Sequence, residues 1–318
     1  MSTSGGTRAI VAALTANLGI AVTKFVAFLL SGSSSMLAES VHSLADSANQ
    51  VLLLVGGKRA KRAATADHPF GFGRERYVYA FMVAIILFTI GGIYSIYEGI
   101  HKLEHPEPID RVWIPLVILL ISIGLESYSF RTALKESAEH RHGISVLEFV
   151  RRAKSPELPV VLLEDMAALV GLVLALVGVS LAAITGDGLW DGVGTVAIGT
   201  LLVLVAIVLG VEVKSLLVGE GASEADAQAI AAAALRGADI ERIIHMKTLY
   251  LGPDELLVGM KVAVAPTDSA IQVAGAIDAL EQRVRAAVPV ARVLYIEPDI
   301  YSSDRAIAAP AGASGESH

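Results

Sequence analysis

The chain contains no cysteine. Disulfides and thiolate metal sites are therefore excluded, and any metal it binds must be held by imidazole and carboxylate, which suits Zn, Mn, Fe, Co or Ni and disfavours Cu(I). Cysteine usage gives no indication of the redox compartment. Charge is scarce as well: 18% of the 318 residues are charged, against 54% hydrophobic, and the mean hydropathy is +0.61. That balance is too apolar for an ordinary soluble domain and reads as an integral membrane protein. No His-Glu-x-x-His occurs anywhere, so a membrane metalloprotease is excluded. The first apolar stretch lacks a basic leader and, at about 23 residues, is longer than the core of a signal peptide, so it reads as a span.

Six apolar stretches are long enough to cross a hydrocarbon core about 30 Å thick. They fall at roughly residues 8–30, 34–57, 77–100, 112–133, 158–184 and 190–212. Lysine and arginine set the orientation. The link between the second and third stretches carries Lys58, Arg59, Lys61, Arg62, Arg74 and Arg76, and the link between the fourth and fifth carries Arg131, Lys135, Arg141, Arg151, Arg152 and Lys154. The opposite links hold only Lys102 and Arg111. Both termini are thus expected in the cytoplasm. The net charge of −7, with the basic residues spent on these links, argues against a nucleic-acid partner.

Beyond the last span the period changes. Residues 223–236 read as a helix capped by Ser223 with Asp226 at the capping-box position. Residues 241–251 and 255–264 alternate as strands; Leu256, Val258, Met260, Val262 and Val264 share one face, and Gly252-Pro253-Asp254 makes the turn. A second helix, 268–288, carries the stripe Ile271, Ala274, Ile277, Leu280, Val284 and Val288, and a last strand, Arg292 to Glu297, ends at Pro298. The expected architecture is an all-α six-helix membrane bundle (1–218), a small α+β cytosolic domain of order αββαβ with a ferredoxin-like open sheet (219–301), and a disordered tail (302–318).

The second span holds the chemistry. Within eight positions it places Glu39, His42 and Asp46, and this i, i+3, i+7 spacing puts all three on one helical face. A carboxylate at the centre of a membrane helix costs about 2.5–3.5 kcal/mol on insertion scales, so a cation is expected to offset them. Aligning Leu37–Asp46 with Leu163–Leu172 makes the fifth span look like a stripped copy of the second: Asp165 matches Glu39, whereas His42 and Asp46 meet Ala168 and Leu172. Repeats with binding residues at the midplane are a transporter device.

These residues resemble the cation diffusion facilitators, exporters of divalent metals. The likeness covers six spans, the turn Ser31-Gly32-Ser33-Ser34-Ser35, the His42-x-x-x-Asp46 motif, the loop His68-Pro69-Phe70-Gly71-Phe72-Gly73-Arg74 and the αββαβ domain. Glu164-Asp165, with Arg151-Arg152-Ala153-Lys154-Ser155-Pro156 before it and Glu212-Val213-Lys214-Ser215-Leu216-Leu217 after the sixth span, looks most like the mitochondrial zinc transporter-9-type branch. The resemblance implies His42 and Asp46 as ligands of the transported metal. It also implies a second ligand pair on the fifth span, where this chain has Ala168 and Leu172. A loop histidine of the family is replaced by Phe72, and the metal positions of its cytosolic domain fall on Ile244, Met260, Tyr295 and Glu297. That domain is therefore expected to be metal-poor.

Each reading has a plainer rival. His42 and Asp46 are metal ligands or a polar pair bonding neighbouring helices. Glu39 is a ligand, a proton relay or the partner of Lys24. Glu164 and Asp165, at a depth near Asp46, are replacement ligands or polar bundle residues. His68 reads as a structural turn, and His140 and His142 as solvated. Asp187 and Asp191 attract exiting cations or favour a helix start. Asn17, Glu98, Glu126 and Glu212 are assigned to helix packing or helix ends. The expected function is proton-coupled export of a divalent transition metal, zinc first, from the cytoplasm by alternating access, in a homodimer in a bacterial inner (plasma) membrane, with no cofactor and no enzymatic step. Export of Mn, Fe or Co, or a non-transporting metal-sensing or scaffold subunit, are the alternatives.

Overall fold

A computed structural model of the chain describes residues 4–31, 34–106, 112–141, 143–237 and 239–301; within helices, the side chains of residues 4–6, 27, 28, 30, 31, 34–42, 45 and 140 lie outside the description. The expected tail falls outside it entirely. The chain separates into two compact units, Met1–Val218 and Gly219–His318.

The first unit is all helix: α1 (Ser4–Ser31), α2 (Ser34–Arg59), α3 (Glu75–Ile86) continued through a π-helical segment (Leu87–Ile93) into α4 (Tyr94–Glu104), α5 (Trp113–Arg141), the short α6 (Val146–Arg152), α7 (Glu157–Thr185) and α8 (Leu189–Val218). Helices satisfy their own backbone groups, which a hydrocarbon core demands. Five of these stretches are long and apolar enough to span a membrane: Thr7–Val26, Glu75–Glu104, Trp113–Glu139, Glu157–Thr185 and Leu189–Val218. Among the described residues α2 does not reach that apolarity, because its 26 residues carry the polar cluster. It is the sixth long helix of the bundle, and its length of about 39 Å at 1.5 Å per residue suffices to cross. α5 and α8 run to Arg141 and Val218, beyond the apolar stretches that end near residues 133 and 212.

Neighbouring helices form a ring in the order α1, α2, α3–α4, α8, α7, α5, closing back on α1. Two features fix it. The α3–α4 span and α8 approach so closely that a Cβ added at Gly199 would lie 2.7 Å from the backbone nitrogen of Ile96, and one at Gly92 would lie 2.6 Å from Val203 Cγ2. Small residues at such crossings let backbones meet where the lipid gives no hydrophobic drive. At the end bearing the basic loops, Arg76 Nε lies 2.5 Å from Glu157 Oε1, both side chains under 10% exposed. Ser155 Oγ donates to Glu157 Oε2 (2.6 Å), and Tyr77 Oη donates to the Lys154 carbonyl (3.2 Å). At the opposite end Lys102 Nζ pairs with Asp191 Oδ2 at 3.0 Å, and Asp187 Oδ1 accepts from the Leu189 amide at the start of α8. Asp191 is therefore an ion-pair partner.

The second unit is α9 (Glu224–Ala234), β1 (Arg242–Gly252), β2 (Glu255–Ala263), α10 (Ala270–Ala287) and β3 (Ala291–Asp299), the αββαβ order. Ser223 Oγ accepts from the Asp226 amide, and Ser269 forms a full capping box with Gln272. β1 and β2 pair antiparallel around Pro253–Asp254, β3 adds parallel to β2, and the sheet order is β1-β2-β3. Leu256, Val258, Met260 and Val262 pack against Ile230, Ala233, Ala276, Leu280 and Val284, so both helices cover one face. Two details differ from the periodicity. The buried side of α10 runs through Ala276, Leu280 and Val284, while Ile271 is 85% exposed and Ala274 also faces outward, because at about 100° per residue Ile271 falls on the side of the helix opposite Leu280. β3 continues through Pro298, paired with Val262, which an edge strand tolerates because one side of it needs no donor.

Candidate metal-transport site

The polar residues of α2 lie on the face that meets α1 and the bundle interior. Asp46 is half-buried; Ser43, Ser47, Asn49 and Gln50 are buried. His42 and Glu39 belong to the same helix, and their side chains lie outside the described residues. On α1, Lys24 is buried and its Nζ donates to Ser43 Oγ at 3.0 Å.

α7 answers with a pair of buried carboxylates, and each has a distinct partner. Glu164 accepts from Asn49 Nδ2 (3.0 Å) on one oxygen and from Gln50 Nε2 (2.9 Å) on the other. Gln50 in turn accepts from Asn17 Nδ2 of α1 at 3.3 Å. Asp165 Oδ2 accepts from Ser129 Oγ of α5 at 2.6 Å. The contact with Asn49 and Gln50 places Glu164 about one turn beyond Asp46, toward the basic-loop end. Asn17, read as a packing residue, is the α1 anchor of this chain of amides, whereas Ala168 and Leu172 are only partly buried.

Charge in this interior is mainly negative. Glu164 has Asp46, Asp165 and Glu126 as electrostatic neighbours, and Glu126 on α5 has Asp165, Asp46 and Lys24. Four carboxyl groups from α2, α5 and α7 are thus linked as electrostatic neighbours, and Glu126 also has the buried Lys24 of α1 beside it. Three oxygens among the described residues are buried without a hydrogen-bond partner here: Glu126 Oε2, Asn49 Oδ1 and Ser122 Oγ. An unpaired buried acceptor costs about 1–3 kcal/mol. Among the described residues no three ligating side chains converge closely enough to share one ion, so His42 or a rearrangement of the helices is needed to complete a site.

Residues 10–218 match the cation efflux transmembrane domain. The chain belongs to the cation efflux family. Members of this family move cations across a membrane and are not enzymes, and the chain carries the family's multi-pass transmembrane domain. It is 35% identical over 188 residues to the mitochondrial proton-coupled zinc antiporter SLC30A9 of Homo sapiens, covering 58% of this chain and 33% of that protein. It is 29% identical over 248 residues to metal tolerance protein C4 of Arabidopsis thaliana, covering 77% of this chain and 54% of that one. The chain thus spans about a third of the length of the antiporters it matches. A solved MamM C-terminal domain aligns with 25% of this chain and 94% of its own length at 23% identity and a TM-score of 0.24; the αββαβ fold is read from the second unit's own strands and helices.

The remaining motif residues have structural partners. His68 exchanges backbone hydrogen bonds with Thr65 at 3.2 Å and its ring sits 4.6 Å from that of Phe72. In the second unit Met260 is buried in the core and Glu297 is paired with Lys261 at 3.0 Å, while Tyr295 is exposed. The amide partners Asn49 and Gln50 and the hydroxyl partner Ser129 were not singled out by sequence reasoning. The signal for the two amides was there in the spacing Asp46-x-x-Asn49-Gln50, which continues the polar face of α2 by one turn.

Proposed function

We propose that the chain exports a divalent transition metal, zinc before manganese, iron or cobalt, from the cytoplasm in exchange for protons. It works by alternating access in a homodimer with both termini cytoplasmic, in a bacterial plasma membrane. The ion is held by His42 and Asp46 of α2 with Glu164 or Asp165 of α7, and Glu39 lies one turn further along the same face. The observation that supports this reading is the set of carboxyl groups from α2, α5 and α7, Asp46, Glu126, Glu164 and Asp165, that are electrostatic neighbours within a bundle of the cation efflux family.

The chemistry follows from the donor set. Imidazole and carboxylate bind a metal only when deprotonated, so a proton arriving from outside competes with the ion and releases it. Four-coordinate nitrogen and oxygen ligation suits zinc, whereas an all-oxygen octahedral shell suits magnesium or manganese. The imidazole of His42 tilts the choice to zinc. Glu164, with both oxygens held by amides, ties α2 to α7 at the site, and Asp165 is the freer of the two α7 carboxylates to turn toward an ion.

Uptake of zinc, manganese, iron and cobalt into vesicles containing the full chain, under an imposed pH gradient, tests the reading. Zinc-preferring, gradient-dependent uptake is the expected result. Binding without uptake of any of these metals favours the non-transporting sensor or scaffold, toward which Ala168 and Leu172 point.

A further inference from the structure

α5 carries a buried polar stripe that the metal-site reading leaves unused. Ser122, Glu126, Ser129, Ala133 and Ser137 recur at i, i+4, i+7, i+11 and i+15, and none is more than 4% exposed. The helix packs against α1 and α7, so this stripe faces the bundle and not the lipid. Ser129 donates to Asp165 and Ser137 Oγ donates to the Leu134 carbonyl. At the centre of the stripe the pattern breaks: Ser122 Oγ and Glu126 Oε2, one turn apart, have no hydrogen-bond partner among the described residues.

Glu126 is 4% exposed in a membrane-spanning helix, and its electrostatic neighbours are Asp165, Asp46 and Lys24. Helix packing does not account for it: among the described residues Lys24 is the one cationic neighbour that favours a charged carboxylate here, set against two acids and the cost of burial. Asn49 Oδ1, a third acceptor without a partner, lies on α2 three residues after Asp46. Its amide nitrogen is already given to Glu164. Acceptors without donors, on two helices whose acids share one electrostatic neighbourhood, are what a cation needs and what a hydrogen-bonded core lacks.

Resting on the α2–α7 reading of the ion site, we propose that Glu126 is a ligand of the transported cation, and that α5 supplies the coordination Ala168 and Leu172 of α7 lack. The site then draws on three helices: His42 and Asp46 from α2, a carboxylate of α7, and Glu126 from α5. Loading the ion brings Glu126 toward Asp46, since in the arrangement described no three ligating groups converge. Ser129, one turn along from Glu126 and bonded to Asp165, couples that movement to α7. The class of ligand is a divalent transition-metal ion, and the role of Glu126 is distinct from that of Glu164, whose oxygens are both taken by amides.

The test uses the full chain in lipid nanodiscs, with Zn²⁺ as the probe and calorimetry, thermal melting and zinc X-ray absorption as readouts. Glu126→Gln keeps the shape and is expected to weaken zinc binding about a hundredfold, with the thermal midpoint unchanged. Glu126→His restores binding and adds one imidazole to the zinc shell, a signature that a merely structural role would not produce. Wild-type zinc affinity in Glu126→Gln, alongside lost binding in Asp46→Asn, overturns the role of Glu126 and leaves the α2–α7 site standing. Wild-type affinity in both variants overturns both. If Glu126→Gln does not fold, the Glu126→His spectrum decides: an extra imidazole supports the proposal, and an unchanged count refutes it.

Discussion

Asn49 on α2 donates a 3.0 Å hydrogen bond to Glu164 on α7, joining two helices 115 residues apart in the chain. With Gln50 on the second carboxylate oxygen, the bond makes Glu164 an acceptor for two fixed donors. Glutamine offers only one acceptor oxygen, so Glu164→Gln sets an amide NH₂ against an amide NH₂. Leaving one donor unsatisfied costs about 1–3 kcal/mol. Asp165→Asn retains an oxygen for Ser129 and costs less. Thermal melts of the two single variants in detergent are expected to show the larger drop for Glu164→Gln; equal drops would mean that the amide clamp contributes nothing.

Arg76 and Glu157 form an ion pair that is almost fully buried, and it ties the start of α3 to the start of α7. Removing one partner strands the other charge, which costs about 3–5 kcal/mol. Arg76→Met and Glu157→Leu are each expected to lower the melting temperature strongly, and the double variant to recover much of the loss. Additive losses in a double-mutant cycle would show that the two residues act independently.

At Gly199 the nearest obstacle is the Ile96 backbone nitrogen, which cannot rotate away as a side chain can. Overpacking of this kind costs about 1–3 kcal/mol and more where the backbone must move. Gly199→Val is expected to lower stability well below that of Gly210→Val, because nothing lies within 4 Å of a Cβ at Gly210. Melting curves of the two variants compared side by side provide the check.

Tyr250 is buried in the second unit. Burial, reinforced by Asp226 and Glu220, pushes its phenol up to about 12. Lys261 is also raised, by hydrogen bonds to Glu297 and Asp299. For both groups the folded form holds its proton more tightly than the unfolded form, so their contribution is complete below the unfolded values near 10 and is lost as pH rises through the folded ones. The melting temperature of this unit should fall between about pH 10 and 12. Tyr250→Phe is expected to flatten that decline; an unchanged slope would remove Tyr250 as its source.

Much of this architecture could be read from residue pattern. Long apolar runs force helices because no other open structure satisfies the backbone in lipid, and strict alternation in Leu256–Val264 fixed the central strand and its covered face. The face of α10 was misjudged because steps of three residues, Ile271 to Ala274 to Ile277 to Leu280, drift round a helix of 3.6 residues per turn and carry Ile271 to the side opposite Leu280, where it is exposed. Pro298 was taken as a stop, a rule that holds for central strands and fails at an edge. In the membrane unit, charged residues at unusual depth marked Asp46, Glu164 and Asp165 as candidates, but the amides and the hydroxyl that hold the two α7 carboxylates were missed. Asn, Gln and Ser are ordinary on any polar helix face, and only the folded bundle shows that Asn49, Gln50 and Ser129 meet carboxylates. Glu126 was assigned to packing because, with α5 considered alone, nothing in the sequence shows that both its flanking serines are buried.

The account stands or falls on whether the α2 pair carries the ion. The most direct measurement is zinc uptake into proteoliposomes under an inward-directed metal and outward-directed proton gradient, comparing wild type with His42→Ala and Asp46→Asn at equal protein incorporation. Pronounced loss of uptake in both variants, with the proteins still folded in the membrane, is the predicted result. Wild-type zinc flux in both would contradict it.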